Sequence, residues 1–226
     1  IDLVECPDWE GWAAGWPSLS VPVVARLHGS QAYFASELRQ KCEKSARWLE
    51  GASLRRASFW CSVSRYTKER TIELFAPGGE ECTVIYNGVE TAEAGRHAMR
   101  QRGEVVFSGT LTEKKGIRSL IRAWPQVRQR HGEAVLHVYG KDTTRAGAPS
   151  MRESLVAELP EQARPSVIFH GHQSRSVVLE HLQRAHLAVF PSYAEAFAMA
   201  PLEAMGQGCP TIYSKLGSGP ELIDDG

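Results

Sequence analysis

The chain has 226 residues, of which 42% are apolar and 23% charged, ordinary proportions for a soluble globular protein. Lysine plus arginine equals aspartate plus glutamate at 26 each, so no overall field favours nucleic acid, although local basic patches stay open. No apolar run approaches the roughly 20 residues that span a bilayer, which excludes an integral membrane helix.

Five cysteines (Cys6, Cys42, Cys61, Cys82, Cys209) are odd in number, scattered and without a C-x-x-C pair. That argues against a zinc site and against a disulfide scaffold, and predicts reduced, mostly buried thiols in a cytoplasmic protein. The chain opens on "IDLVECP" without Met, and "PELIDDG" at its close reads as a helix reaching its cap. Both ends are therefore expected to be cut, and no signal peptide is visible.

In chain order, the short apolar, β-branched runs "DLVEC", "PVVARLH", "FWCSVS", "CTVIY", "EVVFSG", "AVLHVYG", "SVIFHG", "LAVFPS" and "PTIYS" predict strands. Most read as apolar on both faces, as in a parallel sheet covered by helices. Helical patterns alternate with them: "SRYTKERTIELF", "KGIRSLIRAWPQVRQRH" and "RSVVLEHLQRA". In the second, Ile117, Leu120, Ile121, Trp124 and Val127 share one face, and Pro125 is expected to kink or split the helix. The alternation predicts α/β architecture with right-handed crossovers. The polar stretch "VETAEAGRHAMRQRG" after Asn87-Gly88 breaks it, with four predicted strands before and five after. Two Rossmann-like domains are expected, residues 1–95 and 96–226.

Ligands of open α/β sheets bind at the carboxyl ends of the strands. The residues leaving the strands are His28-Gly29, Ser64, Asn87-Gly88, Gly109-Thr110, Gly140-Lys141-Asp142, Gly171-His172 and Ser192. Together they predict the rim of a cleft. In "SGTLTEKKGIRSL", Lys114 and Lys115 precede a helix that begins near Gly116, whose free N–H groups suit a phosphate. The alternative is two solvated lysines in a loop. The G-x-x-x-x-G-K-[ST] spacing of a P-loop is absent.

In "PSYAEAFAMAPLEAMGQGCPTIYS", Pro201 predicts the start of a short helix that Gly206 and Gly208 end. Glu195 falls in the loop ahead of it and Glu203 in its first turn. The two acids suit a cap plus a dipole partner, or acceptors for the hydroxyls of a sugar or ribose. Neither has partners at metal-ligand spacing, so no metal is expected. His28 at a strand end suits a structural hydrogen-bond partner or a catalyst. Arg96, Arg100, Arg102, Arg118, Arg122, Arg128 and Arg130 read as a solvated face, with contact to an anionic membrane surface as the minor alternative.

The segment "VFPSYAEAFAMAPLEAMGQGCPTIYSKLGSGPELIDDG" resembles the donor region of GT-B-fold retaining glycosyltransferases of family 4, the group 1 glycosyltransferases. "VVFSGTLTEKKGIRSLIRAW", "VIYNGVE", "VARLHGS" and "RRASFWCSVSRYTKE" resemble further segments of that family, in the same order. The resemblance implies two Rossmann-like domains facing a cleft, both incomplete here. It implies a metal-independent hexosyltransferase that takes a nucleoside-diphosphate sugar as donor, a glycan or lipid-linked acceptor, and no cofactor. A role in polysaccharide biosynthesis goes with it.

By the same resemblance Glu203 accepts from the ribose hydroxyls, Glu195 holds the transferred sugar, and backbone N–H groups around Phe197, Ala198 and Met199 hold sugar and diphosphate. Lys115 pairs with the diphosphate, His28 reaches the sugar and His172 lies near the base. Gly109, Thr110 and Lys141 complete the expected donor set from their strand exits. No protein nucleophile is implied, because in the front-face mechanism a phosphate oxygen takes the acceptor's proton. The chain departs from the pattern at Thr110, where the family has arginine, and at Ala196 and Ala198, where glycines are common. Either that cation is missing or it is supplied from elsewhere, with Lys114 the candidate substitute. A same-fold sugar-nucleotide epimerase and a non-catalytic sugar-nucleotide-binding module are the alternatives.

Overall fold

The computed structural model describes residues 1–75, 81–92, 99–144 and 146–224. It divides into two compact units: Ile1–Gly88 with Ala194–Ala198 and Lys215–Gly226, and Val89–Tyr193 with Met199–Ser214. The boundary expected between residues 95 and 96, and Arg96 with it, lie outside the described residues.

The first unit is built on four parallel strands in the order β1 (Val4–Pro7), β2 (Val23–Leu27), β3 (Phe59–Ser62), β4 (Cys82–Val84). The register sets Val4 beside Val23, Val24 beside Phe59 and Trp60 beside Cys82. Cys6, Val23, Ala25, Leu27, Leu54, Trp60 and Cys82 form its core. Helices α1 (Gln31–Glu37), α2 (Lys44–Arg56) and α3 (Arg65–Phe75) connect the strands. The start of α1 is doubly capped. Ser30 Oγ accepts from the Tyr33 N–H, and the fully buried Glu50 carboxylate accepts from the N–H groups of Gln31 and Ala32.

The second unit is a five-stranded parallel sheet in the order β7 (Val167–Gly171), β6 (Val135–Tyr139), β5 (Gln101–Ser108), β8 (Ala185–Phe190), β9 (Thr211–Tyr213). One face packs Val105, Phe107, Leu136 and Val138 against α4 (Ile117–Arg130) and α5 (Met151–Glu158). The other packs Val106, Tyr139 and Ala188 against α6 (Arg175–Arg184) and α7 (Met199–Gly206). All nine predicted runs are strands, and they form two parallel, Rossmann-like sheets, one in each unit. Four cysteines are buried, Cys42 is half-buried, and all five are free thiols.

Several local expectations fail for physical reasons. Pro125 does not split α4, which runs unbroken from Ile117 to Arg130. Buried Ile117, Leu120, Ile121 and Trp124 anchor the turns before the proline, and burial of such side chains at about 1.5–3 kcal/mol each outweighs its cost of about 3 kcal/mol. Helix α7 starts at Met199, two residues before Pro201, so Glu203 lies in the second turn and not the first. Among the described residues of "PELIDDG", 220–224, the only helical turn is the 3-10 turn Gly219–Glu221, whose Glu221 carboxylate accepts from the N–H groups of Arg65 and Tyr66 at the start of α3. Three strands of the second sheet depart from the apolar pattern, with Glu104 on β5, His137 on β6 and His170 on β7.

The arginine face is largely used within the second unit. Arg118 and Arg122 share Glu158, Arg102 faces Glu133, Arg100 donates to the carbonyls of Ala185 and Gly208, and Arg128 to those of Gly132 and Ala134. Among the described residues no helix is long and apolar enough to cross a membrane.

Candidate functional site

The strand order of the second unit reverses between β5 and β8, with β6 and β7 on one side and β9 on the other. Crevices at such a switch point, beyond the carboxyl ends of the strands, are where open α/β sheets hold ligands. The exits of the strands form a continuous rim there. Gly140 N–H donates to Gly171, Gly109 N–H to Tyr139, and Leu111 N–H to Lys141, each at 2.9 Å. These bonds bring Gly109, Thr110, Lys141 and His172 to one edge, with Thr110, Lys141 and His172 exposed. Gly140 is required, because a side chain there would strike the Gly109 carbonyl.

On the far side of the switch point, a 3-10 turn at Glu113–Lys115 leads into α4. Tyr193 N–H donates to the Lys114 carbonyl at 2.8 Å, and the Tyr193 and Ser119 hydroxyls meet at 2.6 Å. Gly116 holds φ +69, and a Cβ on it would collide with the Pro191 carbonyl, so only glycine allows this turn against the exit of β8. Lys114 and Lys115 are half-buried, and a Cβ on Gly109 would lie 3.8 Å from Lys115 Cδ. Lys115 is thus held over the exit of β5, next to the N-terminus of α4.

Glu203 is half-buried in α7, and its Oε1 accepts from Arg175 Nε at 2.6 Å. Arg175 opens α6, three residues after His172, and also reaches Glu90 at 3.2 Å. The pair raises the arginine's proton affinity, chiefly through its hydrogen bond to Glu203. Arg175 was not foreseen; an exposed arginine at a helix start carries no sequence signal.

The remaining expected residues belong to the first unit, apart from exposed Met199, the first residue of α7. Residues 194–198 are buried there, with Glu195 7% exposed. The Tyr33 hydroxyl donates to the Glu195 carbonyl at 2.9 Å, and the hydroxyls of Ser64 and Thr67 donate to that of Ala196 at 2.8 and 2.9 Å. The Phe197 ring stacks on Tyr86 with centroids 5.7 Å apart. Neither Ala196 nor Ala198 needs a left-handed backbone. Room for the Ala196 methyl comes from Gly29, where a Cβ would lie 3.1 Å from it.

His28 is half-buried beside Trp9, with ring centroids 5.8 Å apart. Burial first, then the Arg26 charge, hold its imidazole below the usual range, so it is neutral at pH 7. The backbone N–H groups of His28 and Gly29 donate to the fully buried carboxylate of Asp8 at 2.9 and 3.1 Å. Burial pushes Asp8 up to about 7 against the opposing pull of those bonds. Asp8 leaves β1 just as His28 leaves β2, so the rule of strand exits reaches it as well.

The family profile described as "Glycosyl transferases group 1" matches residues 102–226, and that described as "Glycosyltransferase Family 4" matches residues 1–93. The chain belongs to the group 1 glycosyltransferases. It is 29% identical over 244 aligned residues to a glycogen synthase of Mycobacterium tuberculosis, covering 100% of this chain and 55% of that protein. An uncharacterized glycosyltransferase of Methanocaldococcus jannaschii is 28% identical, covering 98% and 60%. The chain therefore spans about half the length of the curated relatives it matches.

Among solved structures, sucrose-phosphate synthase from Thermosynechococcus elongatus superposes with a TM-score of 0.76 at 23% identity, over 96% of this chain and 56% of that one. The pneumococcal O-GlcNAc transferase GtfA, in complex with UDP and GlcNAc, gives 0.69 at 18% identity, over 92% and 40%. These likenesses establish that the group 1 chain has the GT-B fold.

Proposed function

We propose that this chain carries the donor site of a retaining glycosyltransferase that moves a hexosyl group from a nucleoside-diphosphate sugar to a glycan or lipid-linked acceptor. The observation that supports this most is the rim at the β5/β8 switch point, where Lys115 stands over Gly109 at the start of α4. A diphosphate there meets N–H groups, a helix N-terminus and a cation together.

Lys115, with Lys114 beside it in place of the arginine missing at 110, balances the charge that grows as the nucleotide leaves. That is electrostatic stabilisation by the chain's own groups, and it requires neither a metal nor a cofactor. Glu203 takes the ribose hydroxyls in exchange for its contact with Arg175. His172 and Lys141 edge the base and the phosphates. Within the first unit, Glu195, His28 and the backbone of Phe197 and Ala198 are the groups that suit the hydroxyls of the transferred sugar. The acceptor oxygen attacks on the side from which the diphosphate departs, and a diphosphate oxygen takes its proton, so the configuration is retained.

Calorimetric titration with UDP, GDP and ADP, with Glu203→Ala alongside, tests the reading. Saturable binding of one nucleotide, weakened at least tenfold in the variant, is expected and names the base for a turnover assay. Equal affinity in both proteins rules out the ribose role of Glu203, and no binding by the folded chain rules out the donor site.

A further inference from the structure

The α6 face of the second sheet holds a polar cluster that the donor reading does not use. Glu104 on β5, His137 on β6 and His181 on α6 offer ligand atoms that all lie within 4.8 Å of one another. Glu104 precedes Gly109 by five positions on an extended strand, which at about 3.3 Å per residue sets it about 16 Å from the rim. We propose that these three side chains bind one divalent transition-metal ion of the zinc class, at a site separate from donor binding.

Two observations carry this. The first is the direction of the rings. Nε2 of His137 and Nε2 of His181 lie 2.6 and 3.1 Å from the same Glu104 Oε2. Each ring engages an outer partner through its other nitrogen: His181 Nδ1 meets the Tyr139 hydroxyl at 2.7 Å, and His137 Nδ1 meets His170 Nε2 at 2.9 Å. Metal-ligating histidines show this pattern, with one nitrogen on the ion and the other fixed by a hydrogen bond. His170 stacks on Tyr139 with centroids 4.3 Å apart, so the two outer partners brace each other.

The second is an orphaned atom. His137 Nε2 is buried and, despite its closeness to Glu104, makes no hydrogen bond. A buried ring nitrogen without a well-aligned hydrogen bond, crowded against a carboxylate oxygen, is satisfied together with that oxygen by one cation bound to both. Two imidazoles and one carboxylate suit zinc, with the remaining position left for water. Ligand atoms of a tetrahedral zinc site stand about 3.4 Å apart, so the set needs to open by less than an ångström at Glu104. The sequence hides the site because its ligands come from two strands and a helix with no short spacing between them.

The test is titration of the metal-free chain with Co²⁺, followed by displacement with Zn²⁺. One equivalent of Co²⁺ is expected to raise the visible d–d bands of a four- or five-coordinate ion, and Zn²⁺ to abolish them. His137→Ala and His181→Ala lose at least a hundredfold in Co²⁺ affinity. Tyr139→Phe, which keeps the ring and removes only the outer hydrogen bond, loses about ten- to a hundredfold. His172→Ala, on the exposed rim, binds as the wild type does. Should an alanine variant not fold, Glu104→Gln decides in its place, where lost affinity supports the site. Absence of saturable bands in the folded wild type overturns the proposal. Affinity retained in the folded histidine variants or in Glu104→Gln, or lost in His172→Ala, overturns it too.

Discussion

The Tyr33 hydroxyl donates to the backbone carbonyl of Glu195 at 2.9 Å, across 162 positions of sequence. Both groups are buried, so the bond joins the start of α1 to the loop that carries the buried glutamate. Tyr33→Phe removes the donor and leaves the ring in place. An unsatisfied buried carbonyl costs about 1–3 kcal/mol, and urea unfolding should show a loss in that range. A loss below about 0.5 kcal/mol would mean that the carbonyl finds another donor and that Tyr33 does not hold the loop.

Arg175 and Glu203 form the second long-range pair, at 2.6 Å on the surface of the second unit. An exposed arginine competes with water for its partner, so removing it releases the glutamate at little cost. Arg175→Gln should change nucleoside-diphosphate affinity by less than about fivefold. Glu203→Ala should weaken it at least tenfold, since hydrogen bonds to a carboxylate contribute about 1.5–3 kcal/mol. Calorimetry on both variants separates the roles. A larger loss in Arg175→Gln than in Glu203→Ala would assign the ligand contact to the arginine instead.

The contrast between these pairs shows what the sequence could and could not disclose. Strand positions were legible because short β-branched runs bounded by turn residues have few alternatives in an α/β fold whose sheet is covered by helices. The rim was legible for a related reason: chain direction alone decides which end of a parallel strand faces the ligand. Partnerships such as Tyr33 with Glu195, or His137 with Glu104, depend on which faces meet after packing, and no local period encodes that. Pro201 reads locally as the helix start, which sets Glu203 one turn earlier than the structure does. Met199 and Ala200 extend the helix ahead of the proline, whose missing N–H costs nothing in a first turn. Pro125 misled in the opposite sense, since a buried stripe on α4 overrides a local breaker.

Gly116 supplies a third prediction. A Cβ there meets the Pro191 carbonyl, and the positive φ strains any other residue. Gly116→Ala should therefore destabilise the protein by at least about 2 kcal/mol, the sum of backbone strain and forced displacement. The strain falls on the turn that carries Lys114 and Lys115, so diphosphate affinity should drop in the same variant. Gly132→Ala serves as the control, because a Cβ at that glycine meets nothing within 4 Å. Equal denaturant midpoints for the two variants would show that the turn yields freely.

Asp8 makes stability depend on pH. In the unfolded chain its carboxyl titrates near 3.8, and in the folded protein burial raises it to about 7. Between those values the folded state keeps a proton that the unfolded state has released. Stability from this group is therefore full below about pH 4, falls as pH rises towards 7 and levels off above it. The slope is at most about 1.4 kcal/mol per pH unit. Asp8→Asn, which cannot titrate, should flatten the profile of urea midpoints between pH 5 and 7, even though it weakens one of the two bonds to His28 and Gly29. An unchanged slope in Asp8→Asn would place the titration elsewhere.

Thr110 offers a gain rather than a loss. It is exposed at the exit of β5, beside Gly109, over which Lys115 stands, and it occupies the position at which the family pattern has arginine. An arginine there presents a fork of N–H donors to a diphosphate without displacing any packed group. A charged hydrogen bond contributes about 1.5–3 kcal/mol in full, and exposure to solvent reduces that, so Thr110→Arg should tighten nucleoside-diphosphate binding about three- to tenfold. The gain should shrink as salt rises from 0.05 to 0.5 M, as expected of a screened contact, while Thr110→Gln gains nothing. Lys115→Ala in the Thr110→Arg background should still lose at least tenfold, since one cation at the edge of the rim does not replace another at its centre. Should Thr110→Arg leave affinity unchanged at low salt, the diphosphate does not lie at the exit of β5.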